Sequence, residues 1–519
     1  MIKRKIFSRR AKPLDPLELS VMAHAFSMIA EEMGTILVRG ALSPNIRERR
    51  DASSALFDAS GRMIAQAAHI PVHLGAMPES VRAVMAKKPR AGDVFILNDP
   101  YAGGSHLPDL TLVEAIGIGG RIGGFAACRA HHADVGGMSP GSMPQGAREL
   151  VQEGLILPPV RLVRRGELDE EMLSLILANV RTPEERRGDL RAQLAACAAG
   201  RDGWRALVER IGRDRANAAA NALLAYTGRR AHAAVAALGR RRGEATDRLE
   251  GDGVTDRDIA VVVAAEVRKD VLHLDFHGTS PAVAGNVNCP IAVTRAAAVF
   301  VLRTLLDDDV PTNEGITAAL SMDVPSGCAI DARWPSAVAA GNVEMSQRIT
   351  DTIFAALADA GVDVPAQGQG TMNNITFGGR GWTFYETLGG GQGASSKGDG
   401  PSGVHVGMSN TLNTPIESLE RAYPIRIDEY SLRTGSGGAG AHHGGEGIVR
   451  RYRVTEPCTV TLLTERRRHA PKGAAGGGNG GVGRNLLNGN TIPAKCRMEL
   501  QSGDIVTIET PGGGGWGAT

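Results

Sequence analysis

The amino-acid sequence predicts a multi-domain α+β protein with mixed sheets, a helical insert and a glycine-rich, mainly β C-terminal region. The chain has 519 residues, which suffices for two or more domains at about 150 residues each. Strand-like and helical patterns follow one another along it without a fixed-period repeat. Its composition also changes twice: Ala, Arg, Leu and Glu dominate from about residue 168 to 249, and glycine clusters mark the last third.

These changes divide the chain into five predicted regions. They are a flexible basic arm at residues 1–14, an N-terminal α+β region with a candidate metal site at 15–165, a helical region at 166–252, an α/β region at 253–370, and a glycine-rich, mainly β region at 371–519.

The first helix has the clearest signals. Asp15, Pro16 and Glu18 fit an N-cap, a proline at the first helical position and a capping-box glutamate. One apolar stripe at helical spacing follows, formed by Met22, Phe26, Ile29, Met33 and Leu37.

The strands of the N-terminal region predict where polar side chains collect. Residues 53–66 fit a hairpin around Ser60-Gly61, a helix starts at about Pro78, and "GDVFILNDP" (92–100) is a short strand that its proline ends. Residues 110–132 fit two strands joined at Gly119-Gly120. Strand ends and the loops beside them commonly carry chemistry on a rigid scaffold.

The later elements are a β segment at 256–280, helices at 294–306 and from about Asn342, and an alternating strand in "DIVTIET". The glycine clusters between them predict tight turns and close approaches of one backbone segment to another.

Composition excludes several classes of protein. Lys plus Arg number 58 and Asp plus Glu number 56, so bulk charge supports neither nucleic-acid nor membrane-surface binding. Six scattered cysteines without a CxxC pair favour a reducing compartment. The basic N-terminus has no apolar stretch behind it and no run of about 18 apolar residues occurs, so we expect a soluble cytoplasmic protein.

Two segments carry the candidate site, "GGSHLPDL" (103–110) and "RAHHADVGG" (129–137). His106 and Asp109 have the spacing HxxD, and His131 follows in the second segment. Imidazole nitrogens combined with a carboxylate suit Zn, Mn or Fe(II) and can leave a coordination position open. A general-base site or ordinary polar loop residues also fit the pattern.

Neighbouring residues extend these alternatives. His132 and Asp134 either support a ligand from behind or face solvent. Asp51 lies beside arginines with which it can pair. His69 and His73 either line a pocket or stabilise a tight loop.

Nucleotide and hydrolase motifs are incomplete. "GGGQGASSKG" lacks the Gly-Lys-Ser/Thr ending of a P-loop, and no helical pattern follows "GSGGAG". In "GMSPG", Pro140 directly after Ser139 argues against a nucleophile elbow. If the reaction needs ATP, we expect that this chain does not bind it through these motifs.

Ordered stretches from about residue 15 to the C-terminus resemble the B-subunit family of hydantoinase and 5-oxoprolinase enzymes, which is related to the large subunits of acetone and acetophenone carboxylases. They are "RERRDASSALFD", "HIPVHLGAMPESV", "GDVFILNDPYAGGSHLPDLTLV", "HHADVGGMSPGSMP", "GNVNCPIAVTRAAAVFVLRTLL", "AGNVEMSQRITDTI", "TPIESLERAYPIRIDEYSLRTGSGGAGAHHGGEGIVRRY" and "TPGGGGWG". His277 and Ala52 depart from the pattern without removing a proposed ligand.

The resemblance implies a hetero-oligomeric enzyme in which an A-type partner binds ATP and Mg and activates a small cyclic amide. This chain would then supply a divalent metal for ring opening. The implied ligands are His106, Asp109 and His131 with Asp51 as a fourth, and His132 or Asp134 would assist proton transfer. Two alternatives stay open: a subunit of an ATP-dependent acetone- or acetophenone-type carboxylase, and a non-catalytic scaffold subunit.

Overall fold

The computed structural model describes residues 14–68 and 70–518 of the chain. The predicted flexible arm at 1–14 therefore lies outside the described residues except for its last residue, as does His69. The described part is built on four β-sheets with helices on or between them, so the predicted multi-domain α+β class is confirmed.

The N-terminal region forms a seven-stranded antiparallel sheet in the order β2-β1-β5-β4-β3-β6-β7. Its elements are α1 (Pro16–Gly40), α2 (Pro44–Arg47), β1 (Ala52–Asp58), β2 (Met63–Ala68), α3 (Met77–Ala86), β3 (Val94–Leu97), β4 (Asp109–Ile118), β5 (Arg121–His131), β6 (Val160–Arg164) and β7 (Glu167–Leu168). The predicted hairpin and the predicted pair of strands joined at Gly119-Gly120 are both confirmed.

Helix α1 begins with the N-cap and the proline that the sequence predicts. The Oδ1 atom of Asp15 accepts a hydrogen bond of 2.8 Å from the backbone N–H of Glu18, and the predicted apolar stripe is buried. The Glu18 side chain pairs with Arg215 on a distant helix. Among the described helices, α1 alone is long and apolar enough to cross a membrane, and a core helix packed inside a protein passes the same test.

Helices α4 (Glu170–Ala178), α5 (Pro183–Ile211) and α6 (Arg213–Ala237) follow the first sheet. Helix α5 packs on α1 and on strands β4 and β5 and covers one face of that sheet. Strand β8 (Arg242–Glu250) lies inside the range predicted to be helical. Its inward positions include Gly243 and Asp247, so an apolar alternation that would identify a strand is missing from this part of the sequence.

The central region combines a four-stranded mixed sheet, ordered β11-β10-β9-β8, with two helices. Its further elements are β9 (Asp258–Arg268), β10 (Val271–Asp275), α7 (Ile291–Thr304), β11 (Leu320–Asp323) and α8 (Ser346–Asp359). The pair β10 and β11 is parallel. A π-helical turn at Gly341–Met345 leads into α8, at the position where the sequence predicts an ordinary helix start.

The C-terminal region contains two antiparallel sheets that enclose a separate apolar core. One has the order β13-β12-β16-β19 and the other β14-β15-β20-β17-β18. The elements are β12 (Asn374–Gly379), β13 (Trp382–Glu386), α9 (Ile416–Ala422), β14 (Ile425–Arg433), β15 (Gly447–Val454), β16 (Cys458–Leu463), β17 (Arg484–Leu487), β18 (Asn490–Thr491), β19 (Lys495–Leu500) and β20 (Ile505–Glu509).

The glycine clusters pack backbone against backbone beside these sheets. A Cβ atom on Gly391 would lie 1.9 Å from the carbonyl oxygen of Gly445, and one on Gly513 would lie 2.0 Å from that of Gln392. Hydrogen bonds link the same segments, among them Gly513 N–H to the Gly445 carbonyl at 2.9 Å. The predicted close backbone approaches are therefore confirmed, because a side chain at these positions has no space.

Candidate metal site

Strand register brings the two candidate segments together at one end of the N-terminal sheet. Asp109 is the first residue of β4, His131 is the last residue of β5, and the two are direct partners across the ladder. His106 precedes β4 by three residues in the loop that enters the strand. The sequence-predicted ligands therefore meet because one antiparallel pair begins and ends at these positions.

Their ligand atoms form a compact buried group. Among the described residues, His106, Asp109 and His131 place one potential ligand atom each within 4.8 Å of the others. The Nδ1 atom of His106 lies 3.0 Å from Oδ2 of Asp109, and Nδ1 of His131 lies 3.4 Å from Oδ1. All three side chains are nearly inaccessible to solvent.

The donor atoms fit a divalent cation. Within residues 14–68 and 70–518, Nε2 of His106 and Nε2 of His131 are buried without a hydrogen-bond partner, while the Nδ1 atoms of both rings face the Asp109 carboxylate. Buried polar atoms normally have hydrogen-bond partners, so unpartnered ring nitrogens in such a compact group require an explanation. Two imidazoles and one carboxylate are a suitable donor set for Zn, Mn or Fe(II).

Charge and burial favour the ligand forms of these groups. Burial lowers the pKa of His131, although Asp109 and Asp51 act in the opposite direction, so its imidazole is neutral at pH 7. Burial by itself would raise the pKa of Asp109, but His106 and His73 outweigh it and hold that pKa well below the ordinary value. A neutral imidazole and an ionised carboxylate are the forms that bind metals.

Asp51 lies at the edge of this group. It is buried, and its backbone carbonyl accepts a hydrogen bond of 3.0 Å from the N–H of His131. The compact group of three described above does not include its carboxylate. The predicted role of Asp51 as a fourth ligand therefore stays a prediction.

His73 is a further candidate that the sequence left between a pocket and a structural role. Its Nε2 atom lies 3.4 Å from Oδ2 of Asp109, and its Nδ1 atom lies 3.0 Å from the Ser53 hydroxyl. In the described part of the chain, that Nε2 atom has no hydrogen-bond partner. The signal in the sequence was weak because His73 lies in a short 3-10 turn without strand or helix periodicity.

His132 and Asp134 are placed apart from the three ligands. His132 points to the opposite face of the sheet, where its Nε2 atom lies 2.9 Å from Oε1 of Gln193 on α5. Burial lowers the pKa of His132 to about 4, with Arg186 acting in the same direction. The Asp134 carboxylate pairs with Arg181 at 2.9 Å and accepts three backbone N–H groups nearby. These contacts describe structural roles, and the predicted proton-transfer roles remain untested.

The C-terminal region contacts the candidate site through Tyr385. The ring of Tyr385 on β13 stacks on that of His131 at a centroid distance of 4.6 Å and an interplanar angle of 16°. Arg49 lies over the same tyrosine ring at 5.2 Å and donates to the hydroxyls of Thr387 and Thr411. Sequence reasoning missed Tyr385, because its approach depends on how two distant regions pack.

The guanidinium group of a buried arginine, Arg129, interacts with Asp109. Arg129, two residues before His131 on β5, donates from Nε to the Thr111 hydroxyl at 2.8 Å and from Nη2 to that of Ser80 at 2.9 Å. Burial lowers its pKa, and the charge of Asp109 opposes this. Arg129 therefore contributes a buried positive charge that interacts with Asp109.

Comparison with known proteins identifies the family. The model of the Hydantoinase B/oxoprolinase family matches residues 15–519, so the chain belongs to this family. It is 37% identical to 5-oxoprolinase 1 of Arabidopsis thaliana over 97% of this chain and 42% of that protein. It is 28% identical to the putative B subunit of a D-/L-hydantoinase from a Pseudomonas strain over 98% of this chain and 90% of that protein.

A solved structure supports the same assignment. The ATP-dependent caprolactamase of Pseudomonas jessenii superimposes with a TM-score of 0.91 at 27% identity, covering 98% of this chain and 92% of that chain. The chain thus spans well under half of the 5-oxoprolinase it matches but nearly all of the caprolactamase chain.

Proposed function

We propose that this chain is the B-type subunit of an ATP-dependent hydrolase that opens a small cyclic amide, and that it supplies the metal centre of the reaction. The observation that carries the proposal is the buried group of His106, Asp109 and His131, which places one potential ligand atom of each residue within 4.8 Å of the others and, among the described residues, leaves the Nε2 atoms of both histidines without a hydrogen-bond partner. Asp51 is proposed as a fourth ligand because it is buried beside His131 and its charge acts on that imidazole.

The names of the relatives support the substrate class. A 5-oxoprolinase, a putative hydantoinase subunit and a caprolactamase share the chemistry of a cyclic amide. Such amides are resonance-stabilised and poor electrophiles, and phosphorylation of the amide oxygen would provide a better leaving group. ATP and Mg would be bound by an A-type partner, since the chain covers 42% of the 5-oxoprolinase and its glycine-rich stretches lack a complete phosphate-binding motif.

The residues of this chain would hold and orient the reactants. His106, Asp109 and His131 would hold Zn, Mn or Fe(II), which when bound lowers the pKa of water or polarises a carbonyl or phosphoryl oxygen. The positive charge of Arg129 would favour the ionised form of Asp109. The ring of Tyr385 stacks on that of His131 and excludes water from this face of the imidazole. The proposed proton-transfer role of His132 or Asp134 would require a relay to the three ligands, because their side chains contact Gln193 and Arg181.

A cytoplasmic location and a hetero-oligomeric state belong to the same proposal. The six cysteines of the chain are buried and free, as expected in a reducing compartment. The name of the Pseudomonas relative, which describes it as one subunit of a hydantoinase, supports assembly with a second polypeptide.

Reconstitution tests the proposal. The chain is co-expressed with a candidate A-type partner, the metal content of the purified complex is measured, and ATP consumption is screened over hydantoins, 5-oxoproline, lactams and ketones. We expect cyclic amides to stimulate ATP use, and His106→Ala or Asp109→Ala to remove both metal and activity. The exposed His24→Ala variant is the control for a lost imidazole.

Three results would contradict the proposal. Full metal content and activity in both ligand variants would exclude metal catalysis at this group and favour a scaffold role for the chain. A product that forms only with bicarbonate would identify a carboxylase. ATP consumption that depends on ketones and does not respond to cyclic amides would also identify a carboxylase.

A further inference from the structure

The π-helical turn at Gly341–Met345 carries a buried acid that the proposed chemistry does not use. Glu344 is fully buried in this turn. Its Oε1 atom accepts hydrogen bonds from the backbone N–H of Met372 at 3.1 Å and from Nδ2 of Asn374 at 2.7 Å. Its Oε2 atom has no hydrogen-bond partner in the described part of the protein. Single π-helical turns occur frequently at functional sites.

The Asn374 amide connects Glu344 to a tyrosine. Its Nδ2 atom also donates to the carbonyl of Leu463 at 2.9 Å. Because a backbone carbonyl only accepts, the NH₂ group must face Leu463 and Glu344, and Oδ1 must face the other way. That oxygen accepts the hydroxyl of Tyr385 at 2.7 Å, so the hydroxyl is the donor.

Tyr385 in turn touches the candidate metal site. Its ring stacks on His131 at 4.6 Å and 16°, and its backbone carbonyl accepts a hydrogen bond from Arg49. The hydroxyl bond fixes one end of the ring and the backbone fixes the other. The Asn374 amide therefore fixes the plane of the Tyr385 ring that stacks on His131. Glu344 in turn fixes the orientation of that amide.

We infer that Glu344 is a positioning residue for the metal site: acting through Asn374 and Tyr385, it holds the imidazole of His131 in the orientation that binds a divalent cation. The inference rests on the proposed function in that it takes His131 as a metal ligand. It adds a chain of contacts from the central region to the N-terminal sheet that passes through β12 and β13.

The chemistry of Glu344 suits a neutral support better than an ion-pair partner. Burial raises its pKa to about 8, with the charge of Glu465 acting in the same direction. A neutral carboxylic acid accepts the two N–H groups through its carbonyl oxygen, as a glutamine amide also can. Glu344→Gln should therefore preserve the contact, whereas Glu344→Leu removes it.

Cobalt binding to metal-free protein tests the inference without the partner subunit. Co²⁺ is titrated into wild-type, Glu344→Gln, Glu344→Leu, Tyr385→Phe and Glu344→Leu/Tyr385→Phe proteins, and both affinity and the visible absorption of the bound ion are recorded. Loss of groups that orient metal ligands typically weakens binding 10- to 100-fold. We expect about tenfold weaker binding and an altered Co²⁺ spectrum for Glu344→Leu and Tyr385→Phe, with near-wild-type values for Glu344→Gln.

The double variant separates a shared path from two independent defects. Groups that act in one chain of contacts are non-additive, so we expect it to bind Co²⁺ no more weakly than the worse single variant. Tyr452→Phe is the matched control, because this equally buried hydroxyl donates to Glu386 at 2.7 Å. It should leave the Co²⁺ spectrum unchanged.

The outcomes distinguish this inference from the proposed function. Wild-type affinity and spectrum in Tyr385→Phe would overturn the positioning role and leave the metal site standing. A double variant that shows the product of the two single effects would also overturn the positioning role. Absence of Co²⁺ binding to the wild type would overturn the metal site itself, and the inference with it. If Glu344→Leu does not fold, Tyr385→Phe decides the question, since it removes one hydroxyl only.

Discussion

Replacing Glu344 with glutamine should change how the stability of the protein depends on pH. Burial, and then the charge of Glu465, raises the pKa of Glu344 from 4.5 to about 8. Between these values the unfolded chain loses the proton and the folded chain keeps it, so this group's contribution to stability is lost as pH rises. At 1.36 kcal/mol per pKa unit, the loss between pH 5 and pH 8.5 is about 4 kcal/mol.

Thermal unfolding of metal-free protein at pH 5 and pH 8.5 measures this effect. Glu344→Gln cannot ionise, so its Tm relative to wild type should be higher at pH 8.5 than at pH 5. If the whole chain unfolds together, about 4 kcal/mol corresponds to a change of about 3 to 4 °C, and a smaller cooperative unit gives a larger one. The contributions of other titrating groups to the pH dependence cancel in the difference between variant and wild type, because both proteins contain these groups.

The exposed Glu209→Gln on α5 is the control for the loss of one glutamate. It should shift Tm by the same amount at both pH values. A difference between Glu344→Gln and wild type that is equal at pH 5 and pH 8.5 would refute the reasoning, since it would show that the folded protein does not keep Glu344 protonated.

Three further outcomes are expected. Gly391→Ala places a Cβ atom 1.9 Å from the carbonyl oxygen of Gly445, so urea unfolding should show that the free energy of unfolding falls by about 3 kcal/mol or more. Gly228→Ala is the control: a Cβ atom there makes only ordinary contacts within α6, so this variant should be neutral or stabilising. Equal effects of the two substitutions would contradict the close packing at Gly391. Arg466→Met removes the partner of two buried aspartates at 3.0 and 2.6 Å and should cost about 3–5 kcal/mol in the free energy of unfolding; a loss below about 1 kcal/mol would show that the pairs are replaceable. His73→Gln should weaken metal binding about tenfold, as read by competition with a chelator, and unchanged affinity would leave His73 a structural residue.

Local patterns predicted much of the fold. The N-cap and apolar stripe of α1, the hairpin of β1 and β2, and the strands β4 and β5 with their glycine turn all follow from residue spacing and turn residues. Strand β8 was missed because its inward positions are not apolar, and the turn before α8 differs from the predicted helix start because π-helical winding has no periodic signal in a short segment.

The candidate site was predicted in part for the same reason. His106, Asp109 and His131 were identified from short spacings and from family resemblance, and the register of β4 and β5 brings them together. Adjacent positions in a strand point to opposite faces, so His132 lies on the α5 side, away from His131. Spacing alone did not reveal this separation, because it depends on which residue is the last in the ladder.

By itself, the sequence determined the α+β class and the main helices and strands, because these follow from composition and from periods of two or 3.6 residues. Short spacings and the family resemblance added a small set of residues able to bind a metal. The tertiary structure decided which of those residues meet, placed His73 beside Asp109, and added Tyr385 with Glu344 linked to it through Asn374. Such contacts join segments far apart in the chain, and they follow from how the N-terminal sheet, the π-helical turn and the C-terminal sheets pack against one another, which no local pattern records.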